Sequence, residues 1–183
     1  MRRKDREVTD FSEIAGVIDE CYVLRLGLCD GTFPYIVPVN FAYQIHTIDE
    51  IDTMKDKTIP YDLTMGDKKI KIEFFIHGAK SGRKADLIKK NSLCSFEMDC
   101  AHRLEIIPST RDITMRYKCI MGKAKITTLE GDEKLFALEK MVNRYEETKN
   151  FDWNRHALPH TLVCRLDVLE LTCKINRSTS NAN

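Results

Sequence analysis

The chain has 183 residues, 43% of them hydrophobic and 31% charged, which suits one soluble globular domain with a substantial core. Twenty-nine Lys and Arg against twenty-eight Asp and Glu leave a net charge of +1, so no overall field draws nucleic acid or an anionic membrane. Any anion must be held locally.

The basic start, Met1-Arg2-Arg3-Lys4-Asp5-Arg6-Glu7, is followed by no apolar signal region, and no later run approaches transmembrane length. It reads as a solvated arm, and the protein is expected in the cytoplasm. Asp10 with Glu13 is a capping-box variant, and Phe11, Ile14, Ala15 and Ile18 share one helical face. Cys21 to Leu28 reads as a strand, Asp30-Gly31 and Pro34 as a turn, and Tyr35 to Phe41 as the second strand of a hairpin. Pro38 cannot donate to a ladder, so it marks an edge, a bulge or a place where a ligand lies alongside. From Gln44 to Lys69 the pattern loosens into an expected inserted loop.

Ile70, Ile72, Phe74 and Ile76 then alternate with Lys71, Glu73, Phe75 and His77, a strand whose polar side carries His77. A short helix follows Arg83, and Leu93 to Met98 returns to strand. Pro108 to Asp112 is a turn, and Met115 to Leu129 is one strand bent at Gly122. Asp132 is placed to cap a helix over 133–146 with an apolar stripe of Leu135, Leu138, Val142 and Tyr145. An aromatic and basic loop around Trp153 leads into a strand from Thr161 to Ile175, and 176–183 is a polar tail. With about six strands and no regular alternation with helices, the order argues for a mainly β, mostly antiparallel barrel with peripheral helices, one domain over 1–175.

The most informative stretch is Phe74 to Lys84, where an apolar strand runs through His77, Gly78 and Ala79 to Ser81, Gly82, Arg83 and Lys84 at a helix start. Unpaired backbone N–H groups, the helix dipole and two cations suit a phosphate there, as they also suit a solvated basic turn. The spacing is neither a P-loop nor a dinucleotide fingerprint. Seven cysteines without a CxxC pair read as reduced thiols, and Cys94, Cys100 and His102 match no common zinc spacing, so no metal site is assigned.

Taken together, the basic start, Cys21 to Leu28, Pro34-Tyr35-Ile36-Val37-Pro38-Val39-Asn40-Phe41, His77 to Lys84 and Ile120-Met121-Gly122-Lys123-Ala124 resemble the nitroimidazole-resistance proteins among the pyridoxamine-phosphate-oxidase-like FMN-binding split barrels. The likeness covers most of residues 1 to 145. It implies an antiparallel split β-barrel forming a homodimer with FMN in clefts at the subunit interface. Arg83 and Lys84 would hold the FMN phosphate, the main chain of Val37, Pro38, Val39 and Asn40 would lie along the ring, and His77, Gly78 and Ala79 would border the cavity, with His77 as proton donor or substrate-orienting group. Trp153 is the aromatic that late loops of related barrels bring against a flavin; packing is its alternative role. The implied activity is an FMN-dependent oxidoreductase passing electrons from a reduced nicotinamide to a small acceptor such as a nitroaromatic. Alternatives are a flavin-binding carrier or sensor without turnover, and a haem-binding split barrel with His77 or His102 as axial ligand. The C-terminal strand lacks the arginine- and histidine-bearing ending of true pyridoxamine-phosphate oxidases, which argues against a vitamin B6 substrate.

Overall fold

A computed structural model describes residues 3–47, 63–65, 68–108, 110–146, 153 and 156–177. Helix α1 (Phe11–Glu20) starts where Asp10 accepts the Glu13 N–H at 2.9 Å, and buries Ile14, Val17 and Ile18. Strands β2 (Leu24–Leu28) and β3 (Tyr35–Val39) form the expected hairpin, their turn passing through Gly31 at φ +65°. The short strand β1 (Glu7–Val8) precedes them.

The strand expected over 35–41 is two strands. After Asn40 the chain enters β4 (Phe41–Thr47), which pairs with β6 (Lys68–Ala79), whereas β3 pairs only with β2. The break falls two residues after Pro38, the residue read as an edge or bulge. The loop expected over 44–69 is accordingly strand at both ends, since β4 runs to Thr47, β5 (Leu63–Met65) pairs with the start of β6, and 48–62 lie outside the described residues.

Beyond β6 come α2 (Arg83–Lys90), β7 (Leu93–Ile107), β8 (Asp112–Thr128), α3 (Gly131–Tyr145) and β9 (Thr161–Asn176). All pairings are antiparallel in the order β3-β2-β7-β8-β9-β6-β4, with β1 added to β9. The path is open, yet its two end strands are joined through Asn40 alone. The sheet must therefore curl until its edges meet, giving a split barrel in which covalent continuity stands in for the last ladder. Pro38 is tolerated because β3 is a terminal strand with one neighbour.

Inside the barrel Phe74 is edge-on to Phe41 and Phe96, with centroids 5.6 and 5.2 Å away, amid Leu24, Leu26, Ile72 and Ile120. The odd residues of β6 face outward, where α3 covers Phe75. The buried stripe of α3 is Lys134, Ala137, Leu138 and Met141, rotated from the expected one because the Lys134 ammonium is held by the carbonyls of Leu158 and Thr161, each at 2.7 Å. The helix begins at Gly131 with Glu130 at its N-cap position, so Asp132 lies within its first turn and does not cap it.

The strand expected to end at Met98 continues as the long β7, and β8 pairs with it out to Ile107↔Asp112. This pair extends past the last β8–β9 partners, Tyr117↔Asn176, as a two-stranded arm. The bend expected at Gly122 is present one residue on, as a register shift at Lys123/Ala124 against β9. The expected tail is tied down at its start: Asn176 is buried and donates to Thr114 Oγ1 and Met115 O, and Arg177 pairs with Glu13 at 2.7 Å. Residues 178–183 lie outside the described residues. Among the described residues no helix is long and apolar enough to cross a membrane.

Candidate cofactor-binding site

Pairing of β4 with β6 ends at Phe41↔Ile76. One step further the register would set Asn40 against His77 and Val39 against Gly78, but there the chain leaves to pair with β2. The split thus opens between 37–40 and 77–80, the two segments singled out from sequence. The Tyr145 hydroxyl pins the bend: it accepts from the Phe41 N–H at 3.1 Å and lies 2.9 and 3.0 Å from the carbonyls of Tyr22 and Phe41. Val39 is buried in the core, so only its main chain can face a ligand, whereas Pro38 and Asn40 are exposed and Val37 is half-buried.

The mouth of the split carries the cations. Helix α2 starts after Gly82 at φ +100°, a left-handed backbone that favours glycine, and no side chain caps its first N–H groups. Lys84 is half-buried and turns back to donate to the His77 carbonyl at 3.1 Å, one position past the last β4–β6 pair. Gly78 permits this, because a Cβ there would collide with the Lys84 ammonium. Burial holds the Lys84 amine below its usual range. Arg83 is exposed; its Nε donates to Asp30 Oδ2 at 2.6 Å and its guanidinium lies 5.1 Å from the centroid of Tyr35. Asp30 and Tyr35 were read from sequence only as turn and strand, and their role as partners of Arg83 emerges from the hairpin that brings them to α2.

His77 leaves the strand on the outer face, opposite Val163 on β9. Protein atoms crowding the ring, and then the Lys84 charge, push its pKa below the ordinary value, so near neutral pH the imidazole is uncharged. Gly78 and Ala79 continue the ladder opposite Leu162 and Thr161. Trp153 packs against the outer cluster of Phe75, Leu138, Met141 and Val163, so it serves the contact of α3 with the sheet, on the same face as His77. Lys80 is occupied by Glu130 at 3.1 Å. Cys94, Cys100 and His102 are not assembled as ligands: they engage Ala124 O, Glu20 and Asp99 respectively.

An uncapped helix start, two cations and a glycine that makes room for one of them are complementary to a phosphate group. The fold and this site define a split barrel with two cations and a helix start at the mouth of the slit. The sequence matches the pyridoxamine 5'-phosphate oxidase family over residues 10–175, and the chain belongs to that family. No curated protein matches it. Among solved structures it is similar to a protein provisionally described as a 5-nitroimidazole antibiotic resistance protein from Bacteroides thetaiotaomicron, with TM-score 0.70 and 20% identity over 92% of this chain and 86% of that one. It is also similar to the FAD and heme binding protein from Mycobacterium smegmatis (TM-score 0.68, 14% identity, 94% and 74% covered). The flavocytochrome Anf3 from Azotobacter vinelandii is comparable (TM-score 0.67, 14% identity, 97% and 72% covered). At these identities the likeness shows the fold.

Proposed function

We propose that the protein binds FMN in the slit and acts as an oxidoreductase on a small acceptor such as a nitroaromatic, with reduced nicotinamide as donor. The observation that carries this reading is the juxtaposition of the free strand edge at 37–40, paired with β2 on its other side, with the cations at 83 and 84, in a chain of this family. Lys84 and Arg83 hold the phosphate, and the backbone of Val37 to Asn40 orients the ring. When bound, the flavin supplies the redox chemistry and the protein supplies orientation and electrostatics. His77, neutral and exposed at the rim, accepts or returns a proton at its imidazole nitrogen beside the acceptor.

Absorbance of the purified protein, followed by release and identification of the chromophore, tests the cofactor. A flavin band with FMN released is expected, and a protein that stays colourless with added FMN, FAD or riboflavin would refute it. A Soret band would establish the haem reading, which the names of two similar structures make worth separating. Steady-state oxidation of reduced nicotinamide with nitroaromatic or quinone acceptors distinguishes an enzyme from a flavin carrier.

We further propose a homodimer formed across the outer face of β3, β2, β7 and β8. Exposed Ile36 and Met121 line a 580 Å³ groove there, and along the same face of the arm Leu104, Ile106, Ile113 and Met115 stand 60%, 65%, 68% and 47% exposed. Sedimentation of Ile36→Asp and Ile106→Asp variants is expected to give monomers where the parent gives a dimer; a monomeric parent would refute the assembly.

A further inference from the structure

The opposite face of the arm holds a different kind of site. Where the arm leaves the sheet, a cavity of 440 Å³ is lined by His102, Arg103, Arg116, Lys118 and Arg177, with Tyr117, Asn176 and Ile175, and by no Asp or Glu. Its residues come from three strands: β7 at 101–103, β8 at 116–118, and the end of β9.

Three observations point to a ligand. Arg116 is only 8% exposed, and among the described residues its buried Nη2 has no hydrogen-bond partner, although its Nε is held by Glu105 and its Nη1 by Asn176 and the Arg177 carbonyl. A buried guanidinium nitrogen left unpaired is costly unless something accepts from it. Second, the carboxylates that pair with the lining cations are not themselves among the lining residues: Glu105 holds Arg116 and lies near Arg103, Glu20 holds Lys118, Glu13 holds Arg177 and Asp99 holds His102. They fix the cations in place without occupying the cavity wall. Third, the wall is opened by a bulge, with a register shift between Cys100 and Arg103 and Ala101 at φ +55°, a left-handed conformation that a non-glycine residue adopts at a cost.

We propose that this cavity is a second small-molecule site, separate from the slit, that takes a phosphorylated compound. Several guanidinium and ammonium donors exceed what one carboxylate can accept, and guanidinium edges match phosphate oxygens in pairs. Ile175, with Tyr117 beside it in the lining, offers apolar surface to the organic portion. The volume lies within the usual range for small-molecule sites, about 300–1,000 Å³. Arg6, whose Nη1 donates to the Tyr117 hydroxyl at 3.3 Å, stands at the same ring and adds a further cation.

The test uses the full chain, ¹⁵N-labelled, titrated with inorganic phosphate and then with a simple aryl phosphate, while the Arg116 Nε–H resonance is followed. A saturable shift is expected, tighter for the aryl ester. An Arg103→Gln, Arg177→Gln double variant removes two exposed cations without touching Arg116, and should raise the half-saturation at least about tenfold. An Arg83→Gln, Lys84→Gln variant, altered only at the slit, should leave it unchanged. Absence of a saturable shift, an unchanged half-saturation in the first variant, or loss of the shift in the second would each overturn the assignment.

Discussion

Replacing the two cations at the slit one at a time separates their contributions. Opposite unit charges 4 Å apart interact by about 1 kcal/mol in water and about 4 kcal/mol at an effective dielectric near 20. Lys84 is half-buried against His77 O and lies between these limits, so Lys84→Gln should weaken FMN by about 2 kcal/mol, roughly thirtyfold. Arg83 has a side chain 65% exposed and already shares its charge with Asp30, so Arg83→Gln should cost only about three- to fivefold. Riboflavin has the same ring and no phosphate, and its affinity should change less than about twofold in either variant, because no phosphate contact is lost. The assay is quenching of flavin fluorescence at two ionic strengths, with thermal melts confirming the fold. Equal losses for riboflavin and FMN would show that these residues act through the scaffold, and an unchanged FMN affinity would place the phosphate elsewhere.

Four further outcomes are expected. Tyr145→Phe removes the hydroxyl that ties Phe41 to Tyr22 and leaves buried main-chain groups short of a partner; chemical denaturation should show a loss of about 1–3 kcal/mol. Gly122→Ala drives a Cβ into the Glu170 carbonyl oxygen and the Phe96 ring, and should destabilise by about 1–3 kcal/mol in the same assay. Phe74→Ala empties the centre of the aromatic trio and should cost about 3–5 kcal/mol. His77 has a folded pKa below its unfolded value of about 6.5, so the unfolded chain takes up the proton first and stability falls as pH drops below about 6.5. A His77→Gln variant should flatten that part of the stability–pH curve; an identical slope would exclude His77 as a contributor.

Local periodicity made much of the barrel legible. Alternation over 70–77 gave the correct inward face, 161–175 is the strand expected there, and the Asp10 cap and the Arg83 helix start stand where the residues put them. Pro38 signalled an edge or bulge two residues before the break at Asn40, but the apolar run on either side reads as one strand, and only the different partners of β3 and β4 show that it is two. The rotation of α3 depends on an amine seeking two carbonyls in a later segment, which no helical pattern encodes. At the site, the run from His77 to Lys84 was contiguous and readable, while Asp30 and Tyr35 reach Arg83 only through the β2–β3 hairpin. The basic cavity at the arm was invisible for the same reason, its residues being scattered over three strands.

The one-residue seam at Asn40 also bears on how the barrel forms. Neighbours along the chain there belong to opposite ends of a path that runs through five other strands, so the sheet cannot grow outward from a single hairpin to completion. The β2–β3 and β4–β6 pairs can each zip locally, but they are brought to one barrel only by the distant pairings of β2 with β7 and of β6 with β9. Such non-local closure slows folding. The slit, with one free strand edge, takes its shape only once the distant pairings close the barrel, and a ligand that bridges its two lips would act on folding as a clasp, most visible as slower unfolding in its presence.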